Sequence, residues 1–258
     1  MRKSVLARPA PRTLALSVGR GLAVVLALAS PAPAEECRLA LVLALDVSSS
    51  VDTREHALQR EGLASALVDR EVVRLFLADR PVAVHVFEWA NPATQVPLTA
   101  GWVLVEREAD LAGMAAALLS LPRAGGSGQQ QTTAIGAALV HASSALAAAP
   151  ACRARTVDVS GDGRNNAGLA PRQVYGTHPF DTVTVNALVV SGATRGEVDP
   201  NGDQALNAWF LSNVVRGWGA FSIVADGYED FRRAMKAKLL REIRTPEVSG
   251  WPNRSDAG

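Results

Sequence analysis

The sequence is poor in the residues that carry most enzyme and cofactor chemistry. Its 258 residues include two cysteines, four histidines and 5% aromatics. His56, His85, His141 and His178 are scattered without the short spacings of a zinc or copper site. No Gly-x-Ser-x-Gly elbow is present, which removes the common serine hydrolases. There is no internal repeat, no coiled-coil heptad and no basic or aromatic cluster, so nothing marks nucleic acid as a partner. No membrane span is expected either: the apolar run Leu22–Ala29 has eight residues where roughly 20 are needed to cross a bilayer.

That short run belongs to a different device. Arg2, Lys3, Arg8, Arg12 and Arg20 precede it and Ala32-Pro33-Ala34 follows, the layout of a secretory signal peptide cut after Ala34. A retained anchor reaching back to Leu14 is the alternative, interrupted by Gly19-Arg20-Gly21. The expectation is a leader at 1–34 and a periplasmic or secreted protein. Without the leader 224 residues remain, enough for one α/β domain at 35–244 with a flexible tail at 245–258. The overall charge of +1 comes from the leader, and the remaining chain carries 21 basic and 25 acidic residues.

Both cysteines lie beyond the leader, and a pair in an oxidising compartment is a disulfide candidate. Cys37 stands nine residues before Asp46 and Cys152 ten before Asp162, each acid closing an apolar strand. If those strands are parallel neighbours, about 4.8 Å apart, Cys37 and Cys152 begin them side by side within bonding range. Two unpaired buried thiols are the alternative.

Strand-like runs alternate with helix-like segments, which predicts a doubly wound α/β fold. Leu39–Leu45 is uninterrupted and apolar, as a strand buried on both faces must be. Asp52 with Glu55 reads as a capping box for a helix to about Val68. Pro81–Trp89 alternates as a strand, and Gln95–Val105 pairs with it through a short turn, hence antiparallel. Helices follow at Ala109–Leu119 and Ala134–Ala149, then a strand ending in "SGDGRNN". A strand at Thr182–Val190, a helix at Gln204–Val215, a strand at Ala220–Ala225 and a helix at Tyr228–Arg244 complete the order. The expected architecture is a mostly parallel six-stranded sheet with one antiparallel edge strand and helices on both faces.

Open α/β sheets bind ligands beyond the C-terminal ends of their strands. There the chain offers Asp46, Ser48 and Ser50 in "DVSSS", Thr133 before a helix, and Asp162 in "SGDG". Hydroxyl and carboxylate oxygens without His or Cys are hard ligands, suited to Mg²⁺, Mn²⁺ or Ca²⁺.

These residues resemble the metal-ion-dependent adhesion site of von Willebrand factor A-type domains. Its Asp-x-Ser-x-Ser is completed by a Thr from a second loop and an Asp from a third, matched here by Asp46, Ser48, Ser50, Thr133 and Asp162. The resemblance runs over Leu39–Ile243. It implies direct metal binding by the serine hydroxyls, acids acting through water, and an open position for an Asp or Glu of a partner protein. Where the family often has Gly-Gly before the Thr, this chain has Gln131-Thr132, which leaves Thr132 as an alternative ligand. "EWAN", "DVSGDGRNN" and the segment from Asn213 to Ile243 resemble, more narrowly, the exported bacterial family called domain of unknown function 1194.

Asn165 and Asn166 read as turn residues or as lining of the metal face. Trp89, at the ligand end of its strand, reads as a rim residue that packs locally or meets a partner. Asp199–Asp203 begins like an EF-hand loop but has Gln204 for the required Gly and Phe210 for the closing Glu, so it reads as a turn. An acid ending the first strand is also the nucleophile of some phosphohydrolases. Those want a second carboxylate where this chain has Ser48, so an enzyme using Asp46 is the secondary reading and a non-catalytic binding module the primary one.

Overall fold

The structure, a computed structural model, describes residues 37–124, 132–192 and 202–244. The expected leader at 1–34, the tail at 245–258 and most of Asp199–Asp203 lie outside the described residues. Five strands run parallel: β1 (Cys37–Asp46), β2 (Val82–Trp89), β5 (Cys152–Gly161), β6 (Thr184–Ser191) and β7 (Ser222–Asp226). Two short ones, β3 (Gln95–Pro97) and β4 (Val103–Val105), pair antiparallel with β2 on the same edge. The order across the sheet is β3-β2-β1-β5-β6-β7, with β4 also on β2. The six expected strand positions are therefore present, with the antiparallel edge strand divided in two. At the break Thr99 Oγ1 donates to Gly101 O at 2.8 Å and Gly101 takes φ +97°, a bend that joins the two short strands.

β1 shows why the fold forms. Alternate side chains of a strand point to opposite faces. Leu39, Leu41, Leu43 and Leu45 enter one core with helices α1 (Thr53–Leu67), α2 (Arg70–Phe76), α3 (Glu108–Ser120) and α7 (Phe231–Ile243). Ala40, Val42 and Ala44 enter the other with α4 (Ile135–Ala147), α5 (Pro171–Thr177) and α6 (Gly202–Asn213). The small residues of β1 on this second face leave room for Phe87 and Trp89 of β2 and Phe210 of α6. The capping box of α1 is formed: Glu55 N donates to Asp52 Oδ1 at 2.9 Å and Asp52 N to Glu55 Oε2 at 2.7 Å.

Cys37 and Cys152 are register partners in β1 and β5, bonded as a disulfide with Cα atoms 4.5 Å apart. In the interior, Lys238 Nζ of α7 lies 2.9 Å from Asp158 Oδ1 of β5 and 2.6 Å from Glu242 Oε1, all three side chains buried. No described helix is long and apolar enough to cross a membrane.

Candidate functional site

Asp46 is the last residue of β1 and is buried. Its Oδ1 accepts the Ser48 N–H at 2.7 Å, turning the chain sharply as the strand ends. Its backbone oxygen accepts Gln59 Nε2 at 2.9 Å, while Oδ2 is buried with no hydrogen-bond partner. A Cβ at Gly161 would stand 3.3 Å from that oxygen, so the glycine preserves the space it faces.

The turn is held from behind by Arg123. Its Nη2 donates to the carbonyls of Val47 (2.9 Å), Ser48 (3.2 Å) and Val51 (2.8 Å), and its Nη1 to that of Asp52 (3.2 Å). Ser48 Oγ lies 3.0 Å from Ser50 Oγ, and Ser50 Oγ donates to Asp162 Oδ1 at 2.6 Å. A hydroxyl has one proton, so with Ser50 donating to the acid, Ser48 is the donor to Ser50. Asp162 follows β5 directly, and its Oδ2 accepts the Tyr228 hydroxyl at 3.3 Å. One chain of side-chain bonds thus runs from Ser48 through Ser50 and Asp162 to Tyr228.

Thr133 precedes α4 and is buried, with Oγ1 3.6 Å from where a Cβ on Gly163 would stand, so it faces the third loop. Its N–H donates to Asn166 Oδ1 at 2.8 Å and its carbonyl accepts from Asn166 N at 2.9 Å. Asn165 Oδ1 accepts the Gly136 N–H at 3.1 Å. Neither asparagine has positive φ. Their side chains tie two loops together, a role that neither the turn reading nor the metal-lining reading foresaw.

The electrostatics suit a cation. Burial pushes the Asp46 carboxyl well above its usual range, and the nearby Asp162 charge pushes it further. Asp162 is also raised by burial, against the bonds from Ser50 and Tyr228. The Tyr228 phenol is raised well above its usual value, chiefly by burial and then by Asp162 and Asp46, so it stays a donor. Asp46, buried with one oxygen unpartnered, the half-buried Asp162 and the hydroxyls of Ser48, Ser50 and Thr133 form a set that a positive charge would stabilise. The donors are all oxygen, which fits a hard divalent ion. Among the described residues no three His, Cys, Asp or Glu cluster in a metal-binding arrangement, and the candidate site is instead rich in hydroxyls.

Trp89 is not at a rim. It is fully buried in the second core, and β2 is covered along its whole length. A partner does not reach it. Its neighbour Glu88 is buried too, accepting from Arg60 Nε at 2.6 Å and from Ala124 N at 2.8 Å, with His56 Nε2 2.7 Å away.

The sequence profile of a family described as "Protein of unknown function (DUF1194)" matches residues 36–247. No curated protein matches the chain. Among solved structures, a von Willebrand factor type A protein from Catenulispora acidiphila aligns with TM-score 0.53 at 11% identity, over 80% of this chain and 43% of its own. The pilus adhesin SpaC from Lactobacillus rhamnosus GG aligns with TM-score 0.54 at 11% identity, over 80% and 30%. Proximal thread matrix protein 1 from the mussel byssus aligns with TM-score 0.50 at 16% identity, over 80% and 49%. The chain spans less than half the length of each, and identities this low carry the fold alone.

Proposed function

We propose a function from this premise: the chain belongs to the family described as protein of unknown function DUF1194 and folds as a von Willebrand factor A-type domain. It is an exported binding module that captures an Asp or Glu of a partner protein through a divalent metal. Asp46, Ser48, Ser50, Thr133 and Asp162 hold the ion, which is Mg²⁺, or Mn²⁺ or Ca²⁺ in its place. The observation that carries this reading is the Ser48–Ser50–Asp162 bond chain beside the unpartnered Asp46 Oδ2. When bound, the metal supplies an electrophilic position for an incoming carboxylate. The protein's own part is to fix the hydroxyls, keep Asp46 out of bulk water and present the open face.

Export is supported by the disulfide and by the leader-like first 34 residues. A phosphohydrolase built on Asp46 gains nothing from the geometry. The position two residues on, where such an enzyme places its second carboxylate, is Ser48, whose hydroxyl is bonded to that of Ser50.

The test is the thermal midpoint and titration calorimetry of the protein with EDTA, Mg²⁺, Mn²⁺ or Ca²⁺, beside Asp46→Ala. A metal must raise the midpoint of the wild type by mass action and leave the variant unmoved. Peptides carrying Asp or Glu must then bind only with metal present, and their Asn or Gln counterparts must not. No metal response in either protein overturns the reading.

A further inference from the structure

We propose that Asn165 and Asn166 are positioning residues that set Thr133 for the metal. The inference rests on the reading of the site given above. Thr133 lies in the irregular segment before α4, outside any helix or strand ladder, so other bonds must shape its backbone.

The third loop supplies the shape. Asn166 takes both backbone groups of Thr133: its side-chain Oδ1 accepts the N–H at 2.8 Å and its own N–H donates to the carbonyl at 2.9 Å. Two bonds between the same two residues fix separation and rotation together. One residue on, Ala134 N donates to Ala90 O at 2.8 Å, which secures the far side of the segment to β2's end.

Asn165 does the matching task at the helix. The first N–H groups of an α-helix have no partner within it, and a side-chain oxygen at the N-cap usually meets one of them. α4 has Ala134 at that position and no cap side chain. Asn165 Oδ1 reaches across from the third loop and accepts the Gly136 N–H, capping α4 from another part of the chain. Its Nδ2 donates to Ala167 O at 3.1 Å, which holds the amide in the orientation that presents its oxygen. Gly136 lets the loops close to this distance, since a Cβ there would stand 1.9 Å from Leu169 O.

Thr133 is therefore held by the loop that also carries Asp162, and the second ligand loop is a dependent of the third. Outer residues that orient a metal ligand typically contribute about 10- to 100-fold in affinity.

The experiment is titration calorimetry with Mn²⁺ on the full chain for wild type, Asn166→Ala, Thr133→Ala and the double variant, with metal-free thermal midpoints alongside. Asn166 is exposed, so its truncation leaves the core intact. The expected result is a loss of at least about tenfold in affinity for Asn166→Ala. In the Thr133→Ala background, where no hydroxyl is left to position, the same change must add nothing, because residues acting through one another are non-additive. Asn165→Ala must weaken Mn²⁺ binding in the same direction. Equal affinity of wild type and Asn166→Ala overturns the inference while leaving the metal site standing, as does a loss of the same size in both backgrounds. Absence of Mn²⁺ binding to the wild type overturns both, and Asp46→Ala separates that failure from weak non-specific binding.

Discussion

Gly161 faces Asp46: a Cβ at this glycine would stand 3.3 Å from Asp46 Oδ2, 3.3 Å from the Phe210 ring and 3.7 Å from that of Trp89. Each contact but the last is tighter than side chains normally keep, and two of the neighbours are core aromatics that have little room to retreat. Gly161→Ala is expected to weaken metal binding several-fold and to cost about 1 kcal/mol of metal-free stability through overpacking. Gly163→Ala is the control, because its Cβ would meet Thr133 Oγ1 at an ordinary 3.6 Å. Calorimetric titration and urea denaturation of both variants check the contrast, and equal effects contradict it.

Arg123 is expected to matter for the same loop. Its guanidinium serves four carbonyls of the Val47–Asp52 segment, which no other side chain could gather at once. Arg123→Ala should destabilise the protein by about 2 kcal/mol and weaken metal binding, by leaving charge-assisted bonds unmade. Arg123→Lys should resemble the alanine variant, since a single ammonium lacks the planar fork. Denaturation curves read the first effect and titration the second.

The disulfide closes a loop with a sequence separation of 115 residues. Chain-entropy reasoning gives about 4 to 5 kcal/mol for a cross-link of that span. The double variant Cys37→Ser with Cys152→Ser is expected to lose stability on that scale in guanidinium denaturation. A loss below about 1 kcal/mol would show that the β1–β5 ladder needs no covalent start.

Asp158 predicts a pH dependence. Burial pushes its carboxyl up to about 7, against the pull of Lys238 and with Glu242 adding to the rise. A folded-state value above the unfolded one, about 3.9, means that the folded chain holds an extra proton between about pH 4 and pH 7. This group's contribution to stability is complete below that window and declines as pH rises through it, by at most about 1.4 kcal/mol per pH unit. Stability measured from pH 5 to pH 8 should fall less steeply in Asp158→Asn than in wild type. Parallel profiles would contradict the assignment.

The parts legible in the sequence are those set by local pattern or by simple offsets. β1 reads as buried because both its faces are covered. The two cysteine offsets, nine and ten residues before the acids, place Asp162 one position past the β1–β5 register partner of Asp46, as the ladder Ala44↔Val159 requires. Asp52 and Glu55 declare the start of α1. The two seven-residue helices α2 and α5 leave no signal in the sequence, because two turns carry too few apolar repeats to show a period. Gln95–Val105 reads as one strand although the bend at Thr99–Gly101 divides it, and the bend's partner, His85 Nδ1 at 3.2 Å from Thr99 Oγ1, lies on the neighbouring strand.

The side chains proposed to hold a metal are legible as a motif, and the residues bonded to the loops that carry them are not. Arg123 meets carbonyls 71 to 76 positions away, and Asn166 meets Thr133 33 positions away. A long-range bond of this kind leaves no local periodicity. Trp89 misled for a related reason: its place at a strand end suggested a rim, but the cover is supplied by distant α4 and α6.

The disulfide and the candidate site sit at opposite ends of the same two strands. A pull on Asp46 or Asp162 directed along the strands would load β1 and β5 lengthwise. If the pull falls on one strand alone, it must slide past the other, shearing their hydrogen bonds together instead of unzipping them singly. The Cys37–Cys152 link anchors the trailing ends against that slip. Tension on this surface is then met by a covalent stop at the far end of the pair, and the strands hold their register under traction.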